Sequence, residues 1–355
     1  MTAAPHVITL GTAGGPVWGV DGERTGIATA VVVGDRTYLV DAGSGVGRQM
    51  VRAGLPFGSL RGVFITHLHS DHIVDLGALM VFGIMRMPIP PTHRIPVVGP
   101  GPRGVLPRLS PRASGALKPV FPENPTPGMI DTVDLLLRGF ATDINDRLLD
   151  SLKPTPLDWF SPQEIQIPTS AGFHPNDNPT PDMEPFVIFE DDAVRVSAVL
   201  VKHAPMAPAF GYRFETEDGV VAISGDTGPT DNMIRLARDA DLLLHEALDF
   251  AWVEEQYEQT RDDSARAVRD HHYSAHTSPV DAMRIAEAAG ARQLALHHLV
   301  PRGAPRDLWL RSGESFPGRF LVPEDLEVIS LRGGALPAAA AHGVASDARE
   351  PADSR

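Results

Sequence analysis

The sequence predicts an α/β fold, and two observations carry that prediction. Short apolar, β-branched runs alternate with amphipathic helical segments near both ends of the chain, and metal-competent side chains directly follow several of those runs. A length of 355 residues suits one large domain, and 43% hydrophobic with 21% charged residues is an ordinary globular composition. One domain is expected over residues 1–332, with a disordered Ala- and Pro-containing tail at 333–355.

Val7–Leu10, Ile27–Val33, Thr37–Val40 and Gly62–Thr66 read as strands bounded by Gly or Asp. Gly45–Ala53 reads as a helix stopped by Gly54. Residues 85–182 are dense in Pro and are expected to form a cap inserted on the scaffold. Inside this cap, Thr126-Pro127 opens one long amphipathic helix with Ile130, Val133, Leu136, Leu137, Phe140, Ile144 and Leu148 at helical spacing. Met80, Phe82, Met85, Met87, Trp159, Phe160 and Phe173 lie in or beside the cap and are expected to face either a substrate or a second subunit. Strands return at Val194–Val201, Phe210–Glu215, Val220–Ser224, Leu242–His245, Gln293–His297 and Leu326–Leu331. Helices are expected near Asn232–Asp239 and from Ser278-Pro279 to Gly290.

The chain has no Cys, which excludes a disulfide framework, an iron–sulfur cluster, a thiolate zinc site and a cysteine nucleophile. Any metal must therefore be held by His, of which there are 14, and carboxylates. No run approaches the roughly 18 apolar residues that span a bilayer. Met1–Pro16 lacks the basic start and apolar stretch of a signal peptide, so a cytoplasmic protein is expected. With 31 Lys+Arg against 45 Asp+Glu, the net charge of −14 disfavours binding to polyanions.

Thr66-His67-Leu68-His69-Ser70-Asp71-His72 follows an apolar strand directly. In an extended segment His67, His69 and Asp71 project to one side, and a helix starting near His72 can turn that imidazole back toward them. Such a cluster at a strand end is hard to satisfy without a ligand. Further candidates sit at later strand ends: His203, Asp226 in Ser224-Gly225-Asp226-Thr227, and the adjacent pair His297 and His298, of which alternation admits only one.

The order His-x-His-x-Asp-His, strand-end His, Gly-Asp-Thr, final His resembles the metallo-β-lactamase superfamily. Leu244-His245-Glu246-Ala247, His276-Thr277-Ser278 and His298-Leu299-Val300-Pro301-Arg302 are similar to its branch holding ribonuclease Z and the zinc-dependent alkyl/arylsulfatases. The resemblance implies an αββα sandwich, two mixed sheets flanked by helices. It assigns His67, His69 and His203 to one metal and Asp71, His72 and His298 to a second, with Asp226 bridging. Two Zn²⁺ per chain are implied, with Mn²⁺ or Fe²⁺ as alternatives, and a shared hydroxide as nucleophile. Glu246 and His276 are implied as a general-acid pair beside Asp71. Tyr212 matches a Gly-Tyr element near substrate, with a packed strand Tyr as the equal alternative. Asp41 is expected to be a buried supporting or turn residue. His271, His272 and His342 are expected in solvent, and His174 at the surface.

The favoured substrate at this level is a sulfate ester or phosphodiester of a small, partly apolar compound. A lactone or carboxylic ester is the runner-up, and a tRNA 3′-processing endonuclease or a non-catalytic metal-holding scaffold ranks lower. Three features place tRNA low: the branch's tRNA-gripping arm has no room between His203 and Asp226, only 23 residues apart, the charge is −14, and no basic cluster of five or more occurs. The expected partners are thus a small-molecule ester and a second copy in a homodimer, with no membrane and with nucleic acid disfavoured.

Overall fold

Two seven-stranded sheets face each other in the computed structural model, which describes residues 4–20, 24–260 and 262–332. The expected tail and His342 lie outside the described residues. The first sheet contains β1 (His6–Gly11), β2 (Ala28–Val33), β3 (Arg36–Val40), β4 (Leu60–Phe64), β5 (Ile95–Pro100) and β6 (Phe160–Ile165). The second contains β7 (Phe186–Glu190), β8 (Arg195–Leu200), β9 (Phe210–Thr216), β10 (Gly219–Ile223), β11 (Leu242–Leu248), β12 (Gln293–Val300) and β13 (Arg319–Leu321). The last strand, β14 (Glu327–Ser330), returns to the first sheet, giving the orders β14-β1-β2-β3-β4-β5-β6 and β13-β12-β11-β10-β9-β8-β7. Both sheets are mixed: pairing is antiparallel from β14 to β3 and from β7 to β10, and parallel from β3 to β6 and from β10 to β13.

Strands such as Ala28–Val33 are apolar almost throughout because both of their faces are covered. Between the sheets, Val31, Tyr38, Val40 and Phe64 meet Phe210, Tyr212, Phe214 and Leu244. Outside the first sheet lie α1 (Val46–Arg52), α2 (Ser70–Ile73), α3 (Leu76–Gly83), α4 (Met129–Gly139), α5 (Ala141–Leu149) and α6 (Pro156–Trp159), which supply Met50, Leu79, Val133 and Trp159 to a second core layer. Further along come α7 (Asp231–Leu236), α8 (Phe250–Tyr257), α9 (Asp263–Ala275), α10 (Pro279–Ala289) and α11 (Arg306–Arg311). Of these, α7, α10 and α11 cover the second sheet through Leu236, Ile285 and Trp309. The order is therefore the αββα sandwich that the resemblance implies. Ser278 caps α10 by accepting from the Asp281 N–H at 3.1 Å, as its sequence predicts. Among the described residues no helix is long and apolar enough to cross a membrane.

The Pro-rich middle differs from expectation. It contains β5 and β6, which extend the first sheet, so it is not a cap laid on a finished scaffold. Proline hid them: Pro162 is tolerated because β6 is an edge strand. The single long helix is two, α4 and α5, parted at Phe140 after the weak helix former Gly139. Met80, Met87, Trp159 and Phe160 are buried in the outer core and face neither substrate nor partner. The irregular stretch 101–128 is mostly exposed, whereas 166–185 packs Ile167, Phe173 and Met183 against the core between the sheets.

Candidate metal centre

The carboxyl ends of β4, β8, β10 and β12 point to one edge of the sandwich, the usual place for ligands in sheets of this kind. There the two sheets are stitched together. The Phe210 N–H donates to the Thr66 carbonyl at 2.9 Å, and Gly225, at φ 60°, passes so close that a Cβ would sit 2.7 Å from the Phe210 carbonyl oxygen. Only glycine fits there, and it turns the chain so that Asp226 points inward.

The loop after β4 ends in the short α2, so His67, His69, Asp71 and His72 converge as the sequence predicts. His203 arrives from the end of β8 and Asp226 from the end of β10. Of the adjacent pair on β12, His298 reaches the site. A bulge lies between His297 and Leu299, with φ 47° at His298, and His297 is buried but offers no atom to either donor set.

Two donor sets result. In the first, His67 Nε2 and His203 Nε2 lie 3.0 and 3.1 Å from His69 Nδ1, and 3.9 and 3.8 Å from Asp226 Oδ2. In the second, Asp226 Oδ1 lies 3.4 Å from His72 Nε2 and 3.2 Å from His298 Nε2, while Asp71 Oδ2 lies 3.7 and 3.4 Å from the same two nitrogens. A tetrahedral ion with Zn–N bonds of ~2.0–2.1 Å separates its donors by ~3.3–3.4 Å, so both sets have the right size. His72 Nε2 and Asp226 Oδ1 are also buried without a hydrogen-bond partner, and polar atoms so placed need a ligand. The residues would suit metal ions held by two donor sets that share Asp226.

Electrostatics favour the same use. Burial holds His67, His69 and His203 below the ordinary imidazole range, so they are neutral at neutral pH. Burial opposes ionisation of Asp226 and Asp71, but the imidazoles of His298 and His72 keep both carboxyls well below their usual range. Neutral imidazoles and ionised carboxylates are the states metal binding requires. His72 departs: burial lowers it, yet Asp226, Asp41 and Asp71 together raise it.

Supporting contacts fix the ligand rings. Asp41 Oδ2 lies 2.8 Å from His72 Nδ1, and its other oxygen accepts from the Thr66 N–H at 2.8 Å, the buried supporting role expected of it. His203 Nδ1 bonds the Ala275 carbonyl at 3.0 Å. Beside the first donor set, His276 Nδ1 lies 3.0 Å from Glu246 Oε1, which also accepts from the Thr227 N–H at 2.8 Å. Burial lowers the His276 imidazole, but the Glu246 carboxylate outweighs it and lifts the value to about 9.

Two expectations fail. Tyr212 is fully buried between the sheets and its hydroxyl donates to the Ile65 carbonyl at 2.6 Å, so it braces the strand that carries the ligands and touches no cavity. His271 and His272 are not in solvent. They ride on α9 and, with His69, Asp71, Asp226, His276 and His298, line a cavity of about 310 Å³ over the donor sets. The usable signal was their position five and four residues before His276, a little over one helical turn. His174 is exposed and paired with Asp177, as expected. A second, apolar groove of about 790 Å³ meets the site at His69, walled by Leu106, Pro107 and Val120 from the 101–128 stretch and by Leu135, Pro205 and Met206.

The sequence pattern of the metallo-beta-lactamase superfamily matches residues 22–287. Ribonuclease Z of Mycobacterium sp. (strain KMS) is 31% identical over 337 residues, 93% of this chain and 97% of that protein. Ribonuclease Z of Natronomonas pharaonis is 31% identical over 310 residues, covering 84% and 89%. Among solved structures, the short form of human tRNase Z is similar with a TM-score of 0.59 at 20% identity, over 92% of this chain and 99% of that one. The relatives' names overturn two expectations: the ranking of a small sulfate ester or phosphodiester above tRNA, and the disfavouring of a nucleic-acid partner. Both rested on net charge, a missing arm and the lack of a basic cluster, which describe the surface and one loop and not the reacting centre.

Proposed function

The chain belongs to the metallo-β-lactamase superfamily, and from that premise we propose that it is a two-zinc ribonuclease that cuts a phosphodiester bond on the 3′ side of a transfer RNA precursor. The observation that carries this reading is the pair of donor sets sharing Asp226, with the Glu246–His276 pair beside them. Relatives named ribonuclease Z supply the substrate class.

His67, His69, His203 and Asp226 would hold one ion, and Asp71, His72, His298 and Asp226 the other. Ions bound there supply Lewis-acid polarisation of a phosphoryl oxygen and bring water within reach of ionisation near neutral pH. The protein supplies the rest. Asp226 presents one oxygen to each set and fixes their spacing. Asp71 is anchored by the Gly15 N–H at 3.0 Å, which keeps its carboxylate at the cavity. His276, its Nδ1 bound to Glu246, has Nε2 left for the cavity and stays protonated at neutral pH. It passes that proton to the departing ribose oxygen, and Glu246 steadies the ring through the transfer.

The test is cleavage of a 3′-extended tRNA precursor by zinc-loaded protein, with product length read on a sequencing gel. A single cut just past the acceptor stem is expected, slowed ~10²–10⁴-fold by His276→Ala with zinc content intact. Intact precursor in the presence of fully loaded protein would refute the reading.

A further inference from the structure

The cavity over the donor sets poses a question of charge. It is lined by Gly15, Ser70, Leu248, Val268 and Val300 besides imidazoles and carboxylates, and among the described residues no Lys or Arg lines it. A phosphate entering it carries two non-bridging oxygens that need donors. The imidazoles of His67, His69, His72, His203 and His298 are committed to the donor sets, and His276 is held by Glu246 for proton transfer. His271 and His272 remain. The His272 ring lies 6.0 Å from His276 but also against Trp252 and Tyr257, with centroids 6.4 and 5.8 Å away, and it offers no nitrogen to the His203–His276 group. The His271 ring instead sits among the site imidazoles, 5.7 Å from both His203 and His276 and 6.4 Å from His69. One ring nitrogen each from His203, His271 and His276 can be chosen within 4.8 Å of the others.

We propose that His271 is a substrate-binding residue that donates an N–H hydrogen bond to a non-bridging oxygen of the bound phosphate, on the same side as His276. This rests on the reading of the site as a phosphodiester-cleaving centre. The placement follows from the fold: α9 runs directly into the His276 segment, so a side chain near the helix end reaches the cavity from above while His276 reaches it from the following loop. Two imidazoles from one chain segment then share the phosphate. One orients it and the other protonates the leaving oxygen. Neither step uses a Lys or Arg side chain.

Inorganic phosphate is the probe, titrated calorimetrically into zinc-loaded wild-type, His271→Ala and His271→Gln proteins, with zinc content measured in each. A hydrogen bond to a charged group predicts a phosphate Kd ~10–100-fold weaker in His271→Ala. His271→Gln, which keeps an N–H donor, should recover most of that loss, whereas a packing role would leave both variants alike. Equal phosphate affinity in wild type and His271→Ala overturns the proposal. So does the loss of a zinc equivalent in His271→Ala, because His271 would then be a metal ligand, and so does absence of phosphate binding by the wild type. Failure to cut precursor tRNA would sink the RNA reading alone, since phosphate binding is measured without turnover.

Discussion

Asp41→Asn should strip one metal from the centre and spare the other. Asp41 is buried, and one of its oxygens stands 2.8 Å from His72 Nδ1 while the other accepts from the Thr66 N–H. That arrangement makes Nδ1 the protonated nitrogen of His72 and leaves Nε2 as a lone-pair donor facing Asp226. Asparagine suits the exchange because Asp41 has φ 61°, and Asn tolerates this left-handed conformation nearly as well. Its carbonyl can still accept from Thr66, but its NH₂ then faces His72 Nδ1. That contact favours the opposite tautomer, with a proton on Nε2 where the metal should bind. Lost supporting carboxylates of this type cost ~10–100-fold in metal affinity. A chelator competition titration should show one zinc equivalent weakened by that factor and one unchanged, because His67, His69 and His203 do not touch Asp41 through a ligand nitrogen. Two wild-type affinities, or equal weakening of both, would refute the assignment of His72 to a separate second ion.

Gly14→Ala should weaken the same ion by another route, since its Cβ would stand 2.5 Å from the His298 ring; unaltered zinc content would show that the ring can give way. Tyr212→Phe deletes a buried hydrogen bond to the Ile65 carbonyl and should cost ~1 kcal/mol, a Tm loss of about 1–2 °C, with KM unchanged. A raised KM in that variant would return Tyr212 to the substrate site. For precursor RNA, the slope of log KM against log salt should be shallow, equivalent to about two or three phosphate contacts. A slope equivalent to about six or more would contradict a grip made mainly away from the phosphates.

Elements whose pattern is local were legible in the sequence. Strands buried on both faces, such as Ala28–Val33, and the helix between Ser278 and Gly290 declare themselves through β-branching, caps and a left-handed glycine. The His67–His72 cluster was legible for the same reason, because its ligands share six residues of one loop. What failed was whatever depends on neighbours distant in sequence. Pro96 and Pro162 look like strand breakers until β5 and β6 are seen beside β4 at the sheet edge. Tyr212 sits in a Gly-Tyr pair that suggests a site, yet its direction is set by the opposing sheet. His271 looked like one of two adjacent solvent histidines, and only the docking of α9 above the donor sets gives it a role.

Net charge is a poor guide to an RNA partner because it is a sum over the whole surface, whereas a reacting phosphate feels groups within a Debye length of ~8–10 Å. The −14 counts Asp41, Asp71, Asp226 and Glu246 as free anions, though all four turn inward at the centre. Two divalent ions, which no count of residues includes, would reverse the sign where the chemistry occurs. The 22 residues between His203 and Asp226 are taken up largely by β9 and β10, so a grip on RNA cannot come from an arm there. The surface next to His69 is instead the groove walled by Leu106, Pro107, Val120 and Leu135, with few charges to hold a backbone. Apolar walls suit unstacked bases better than phosphates. An acidic chain can hold RNA by that means, and the expected signature is the shallow salt dependence given above.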